Sequence, residues 1–193
     1  LTILNYKLKI VIFIIQIGLL CSFPVISANA QPTEGFASYQ ADYCTVYFQP
    51  GVNLNKVDRN INIRFIDLGS YNKGLIYQAK TREERIGLKC DFIVLKSRQI
   101  LDMYPSDFHV SVIFYKDKKG LINAYKNIMG EEEDLYSFYV YETNTIYTTQ
   151  DRINQNVLAH EIGHALVDYY FIVRPPHSIR EMISQHLDVH LED

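Results

Sequence analysis

Residues 155–170 read Gln155-Asn156-Val157-Leu158-Ala159-His160-Glu161-Ile162-Gly163-His164-Ala165-Leu166-Val167-Asp168-Tyr169-Tyr170, and both the fold class and the chemistry of the chain hinge on this stretch. Val157, Leu158, Ala159, Ile162, Ala165, Leu166 and Val167 surround a short polar motif, which predicts a buried helix. Inside it, His160 and His164 are four positions apart. On a helix that spacing puts both imidazoles on one face, within reach of one ion. Glu161 faces the same open side, where it can take a proton from a water held by that ion. Apolar surroundings strengthen the pull of an ion on water and on a carbonyl. The plainer alternative is a core helix whose two histidines are satisfied by hydrogen bonds. A glutamate buried between them is costly without a partner, and a metal removes that cost.

A catalytic zinc takes three protein ligands and keeps one position open. Five of the six histidines lie between positions 160 and 190, so the candidates for the third ligand are Asp168, His177, Glu181, His186 and His190. Asp168 is eight residues after His160 on the same helix. Four residues of helix rise about 6 Å, too far for one ion to bridge three successive turns, so Asp168 is expected to cap the helix or buttress another group. Position 170 is Tyr and position 167 is Val, which excludes the longer metzincin pattern HExxHxxGxxH. Glu181 follows His164 by 17 residues, beyond Pro175-Pro176 and on the final predicted helix. An antiparallel return after that turn would bring it against the motif helix. Ser178-Ile179-Arg180-Glu181 also reads as a capping box, in which Glu181 would bond back to the backbone of Ser178. In that case His177, His186 or another group would complete the site. Two imidazoles and a carboxylate suit Zn2+ best among the divalent ions.

Working outward, the elements mix without regular alternation, which places the chain in the α+β class. Residues 31–40 read as a loose leader. Residues 43–48 are β-branched and aromatic, hence strand-like, and Pro50-Gly51 turns them. From Asn53 onward the pattern fits a short helix, but Ile61, Ile63 and Phe65 also alternate, and the two readings stay open. Residues 69–74 read as a loop. Ile86, Cys90, Ile93, Ser97, Ile100 and Tyr104 repeat in steps of four and three, one face of a long helix that Pro105 stops. Residues 108–115 alternate as a strand with Val110, Val112 and Phe114 on one face. Residues 121–129 form a short helix closed by Gly130. Residues 131–134 are an acidic loop, and 136–141 and 145–148 are strand-like. A last helix runs from Ser178 to Leu191.

With 48% apolar, 21% charged and 13% aromatic residues over 193 positions, the composition fits a globular domain and excludes a disordered, collagen-like or coiled-coil chain. The net charge of −3 argues against a broad basic face for nucleic acid. Lys7 and Lys9, an apolar run from Ile10 to Leu20 and a small-x-small end at Ala28-Asn29-Ala30 describe a secretory signal peptide over residues 1–30. Pro24 interrupts the run before it reaches the roughly 20 residues a spanning helix needs. Without residues 1–30, 17 basic residues face 22 acidic ones. The expectation is a secreted or periplasmic monomer with no stable membrane span after cleavage. Cys44 and Cys90 remain, as a disulfide or as two buried thiols.

The sequence from His160 to Glu181 resembles the gluzincin zinc metallopeptidases, whose third ligand is a glutamate on the helix after the HExxH helix. The resemblance covers residues 83–193, and its short extent is similar to that of the minigluzincins. It implies a thermolysin-like half-domain: a small mixed or antiparallel sheet with an edge strand over the active-site helix. Residues 136–148 resemble that edge strand, which lines the cleft and pairs with an extended peptide. Residues 31–82 would then be a strand and loop region packed on the core. The implied metal set is His160, His164 and Glu181 with Zn2+, and Glu161 is the implied general base. His177, Tyr139 and Tyr141 are candidates for stabilising the oxyanion. Gluzincins often place an acid one turn after the third ligand to orient the first histidine, and here that position is Gln185. The implied function is zinc-dependent hydrolysis of peptide bonds in a peptide or protein substrate. The alternative is a secreted peptide- or cell-wall-binding module whose zinc site is structural or decayed. The intact Glu161 separates the two, since a structural zinc has no use for it.

Overall fold

The computed structural model describes residues 34–69 and 71–193, so the expected signal peptide lies outside the described residues. The elements are β1 (Ala37–Gln40), β2 (Cys44–Phe48), α1 (Leu54–Asn60), α2 (Gly74–Tyr77), α3 (Arg82–Leu101), β3 (Val110–Tyr115), α4 (Lys118–Met129), β4 (Ser137–Val140), β5 (Thr145–Thr149), α5 (Gln155–Tyr170) and α6 (His177–His190). The architecture is α+β. The strands form one mixed sheet in the order β1-β2-β3-β5-β4. β2, β3 and β5 run parallel, while β1 and β4 close the two edges antiparallel.

Burial on both faces explains why β3 reads as Val-Ser-Val-Ile-Phe-Tyr rather than as a clean alternation. Val110, Val112 and Phe114 join the main core with Phe92 and Ile93 of α3 and Leu158 and Ile162 of α5. Ile113 and Tyr115 point the other way, into a smaller cluster with Leu121 and Ala124 of α4 and Phe138 and Tyr147 of the β4–β5 hairpin. The motif helix is therefore pressed between the sheet and α6. Among the described residues, no helix is long and apolar enough to cross a membrane.

The structure departs from the sequence reading at several points. Residues 37–40 are a strand, not a loose leader. β1 is mostly exposed and so lacks an apolar alternation. It is held by its pairing with β2 and by Tyr39, which lies on Gly87 of α3 so closely that a Cβ there would sit 2.5 Å from the tyrosine ring. Residues 54–60 are a helix, and Ile61 and Ile63 after it are buried without joining the sheet. Lys89 donates to the carbonyl of Ile61 in place of a neighbouring strand. The loop near Gly74 runs into the single turn α2. α3 begins at a capping box of Thr81 and Glu84 and ends at Asp102 in the left-handed conformation. It therefore stops before Pro105, and Tyr104 is exposed off the helix rather than on its buried face. Cys44 and Cys90 are buried free thiols. The neighbouring Cys90 thiol, together with burial, pushes the Cys44 thiol well above its ordinary range, and the Cys44 S–H donates to the carbonyl of Gly87.

Candidate metal centre

α5 begins where the side chain of Asn154 accepts from the N–H of Val157, and it runs uninterrupted through the motif. α6 lies antiparallel along it. Asn156 donates to the carbonyl of Asp188, Gly163 abuts Ser184, and Asp168 meets Arg180. The crossing is close because position 163 carries no side chain. A Cβ there would lie 2.9 Å from both Leu187 Cδ1 and Ser184 Oγ and 3.1 Å from Ser184 Cα. That approach brings Glu181, one turn before Ser184, onto the two motif histidines.

Glu181 Oε1 lies 3.2 Å from His164 Nε2, and Oε2 lies 3.6 Å from His160 Nε2. One ligand atom from each of His160, His164 and Glu181 falls within 4.8 Å of the others, a grouping that could hold a metal ion. The helix-capping alternative for Glu181 does not form: Pro176 stands at the N-cap and no side chain caps the helix. On the far side of the first imidazole, Asp188 Oδ2 sits 3.1 Å from His160 Nδ1. A carboxylate there holds the proton on Nδ1 and leaves the Nε2 lone pair directed at Glu181, the arrangement found behind metal-binding histidines. Among the described residues, the buried His164 Nδ1 has no hydrogen-bond partner. Burial lowers the pKa of His164 to about 4, against the opposing pull of Glu181, so its imidazole is neutral at pH 7 as a ligand requires.

Glu161 is buried beside this group. Burial raises its pKa to about 7, with Glu181 and Asp188 adding to the rise and His160 and Ser137 opposing it. A carboxyl poised near neutrality can both accept and return a proton. A cavity of about 430 Å3 opens in front, and His160, Glu161, His164 and Glu181 line it together with Ser137 and Tyr139 of β4. Among the described residues β4 is an edge strand, paired with β5 on one side. A second hollow of about 380 Å3 lies on the Asp188 side of His160 and Glu161. Space therefore flanks the group in two directions.

The remaining sequence candidates fall elsewhere. Asp168 holds no part of the histidine group; its fully covered carboxylate accepts two hydrogen bonds from Arg174, each 2.9 Å. His177 is exposed, with Nδ1 3.5 Å from Glu181 Oε1, at the rim of the cavity. His186 stacks at a tilt on His190, whose Nδ1 meets Asp193. The C-terminal residues are tied down away from the cavity: Lys96 donates to the carbonyl of Asp193, and Gln155 to Glu192. Tyr139 reaches the cavity but donates its hydroxyl to Asn144. Tyr141 lies outside it under the guanidinium of Arg174, 4.5 Å from the ring centre. Sequence reading missed Asp188, Gly163 and Arg180. Asp188 is seven residues after Glu181, two turns on the same helical face, and that spacing was the available signal. No family model, curated protein or solved structure matches the chain.

Proposed function

We propose that the protein is a zinc-dependent peptidase of the gluzincin type, with a thermolysin-like half-domain as its core. The observation that carries this reading is Glu181, which meets both motif imidazoles across a cavity that also holds a buried, proton-ready Glu161. His160, His164 and Glu181 would hold the ion, and their two imidazoles and one carboxylate favour Zn2+. When bound, zinc supplies Lewis acidity toward water and toward a peptide carbonyl. Glu161 takes the proton from the attacking water and gives it to the leaving amine as the C–N bond breaks. Asp188 keeps His160 in the tautomer and orientation that the site needs. The outer edge of β4, unpaired among the described residues, offers backbone groups for an extended peptide, which would lie alongside Ser137 and Tyr139. Secretion to the periplasm or cell exterior follows from the leader-like residues 1–30 and is part of the same proposal.

The test compares wild type with Glu161→Gln and Glu181→Ala for bound metal and for cleavage of a mixed peptide pool. The proposal requires one zinc per chain in wild type and in Glu161→Gln, little in Glu181→Ala, and cleavage by wild type alone. Zinc retained by Glu181→Ala would reassign the third ligand. A zinc-loaded wild type that binds the pool without cutting it would favour the binding-module reading.

A further inference from the structure

At one part of the cavity wall, the guanidinium groups of Arg174 and Arg180 both face a single carboxylate, that of Asp168. Asp168 lies one turn beyond His164 on α5, and its carboxylate is fully covered. Arg174 occupies both of its oxygens with Nε and Nη2 at 2.9 Å. Arg180 Nη1 comes only to 3.8 Å from the same carboxylate, beyond hydrogen-bonding distance. Its side chain is 15% exposed, and among the described residues its buried Nε has no hydrogen-bond partner. Two guanidinium groups thus share one carboxylate. Glu181, the residue next to Arg180 in the chain, is turned toward the histidines. Glu142, the remaining acid that acts on Arg174, is exposed to solvent.

A mostly buried guanidinium with unused donors is expensive unless an acceptor arrives to meet it. Arg180 lines the same cavity as Glu161 and Glu181, so such an acceptor would enter with the substrate. The opposite end of the cavity has the reverse character. Glu133 lies there, accepting from the hydroxyl of Tyr125 at 2.7 Å. Glu133 precedes β4, while Tyr141, under Arg174, follows it. The four residues of β4 span about 13 Å, so the two ends of the cleft are separated by more than one peptide unit.

We infer that Arg180, backed by the Arg174–Asp168 pair, forms a carboxylate-binding subsite beside the metal group, so that the preferred substrates carry an acidic side chain or a free C-terminal carboxylate next to the bond that is cut. This rests on the peptidase reading for the cut, but not for the binding. A planar guanidinium fork matches a carboxylate in two-point contact, which a backbone carbonyl cannot offer.

The test uses fluorescent alanine-based peptides in two matched sets. In the first, a single Glu is moved through the sequence and compared with Gln at each position, all with amidated ends. In the second, the all-alanine peptide carries a free or an amidated C-terminus. Affinity is read by anisotropy on zinc-loaded Glu161→Gln, and cleavage on wild type. The expected result is an affinity and a kcat/KM about ten- to a hundredfold higher for the carboxylate member of one set. The set that discriminates tells a side-chain source from a terminal one. Adding Arg180→Gln should erase the preference, and Arg180→Lys, which keeps the charge but not the fork, should restore part of it. Equal behaviour of the carboxylate and amide peptides overturns the subsite even if every peptide is cut. So does a preference that survives Arg180→Gln, or an equal loss on all peptides. Carboxylate-selective binding without any cleavage would retain the subsite and overturn the peptidase reading instead.

Discussion

Gly163 of the motif helix and Ser184 of the final helix approach backbone to backbone, and that contact sets the distance between Glu181 and the two motif imidazoles. A Cβ at position 163 would lie 3.1 Å from Ser184 Cα, which is backbone and cannot turn aside. An exposed helical glycine changed to alanine usually gains about 0.5–1 kcal/mol. Here Gly163→Ala should instead cost about 1–3 kcal/mol, because the added methyl must push α6 away. The same displacement moves Glu181 from the imidazoles. The urea midpoint and the zinc affinity should therefore fall together; a stabilised variant with unchanged affinity would contradict this account.

Asp188 acts on the site only through His160. Asp188→Asn keeps the shape and can still hydrogen-bond to Nδ1 at 3.1 Å, but it removes the charge that raises the basicity of the ring. Zinc affinity should drop by about 10–100-fold, measured by competition with a chromophoric chelator. The metal-free protein should unfold within about 0.5 kcal/mol of wild type, since the pair is partly exposed. An unchanged affinity would show that His160 is oriented by packing alone.

The sequence was most informative where period and caps agree. α5 was legible end to end because its apolar residues flank the motif on every side, and Pro175-Pro176 marked the turn before α6. β3 was legible through Val110, Val112 and Phe114, although its second buried face was not, since α4 contributes that cover from elsewhere in the chain. β1 was invisible because its stability comes from pairing with β2 and from Tyr39 on Gly87, neither of which leaves a local pattern. Glu181 was one of five candidates on spacing alone. Only the close approach of α6 at Gly163 distinguishes it, and a glycine inside a helix does not announce its partner. Asp188 shares the Glu181 face two turns on, and the helical period alone does not show which polar residue of that face meets His160.

Asp168 anchors the chain as it leaves α5. Asp168→Asn removes the charge that faces Arg174 and Arg180 while keeping the side chain's size. Breaking a buried pair costs about 3–5 kcal/mol. Arg174 is 40% exposed and recovers some hydration, so a loss of roughly 2–3 kcal/mol is expected. Thermal unfolding of the metal-free protein measures it. A loss below about 0.5 kcal/mol, the level of a surface pair, would mean that the turn is held by the Pro175-Pro176 backbone instead.

The metal-free protein should carry a pH signature from the two buried titrating groups of the motif, and they act in opposite directions. Burial raises Glu161 from 4.5 to about 7, so the folded state binds its proton more tightly than the unfolded chain does. Its contribution is complete below pH 4.5 and is lost as the pH rises through about 7. Burial lowers His164 from 6.5 to about 4, and its contribution is complete above pH 6.5 and lost as the pH falls through about 4. Glu161→Gln removes the first group and leaves the second. In the presence of a chelator, the stability of wild type relative to Glu161→Gln should therefore decline steadily between pH 4.5 and pH 7 and level off beyond it. A relative stability that is flat over that interval would place the Glu161 carboxylate in contact with solvent, and would remove the argument that it is held ready to receive a proton.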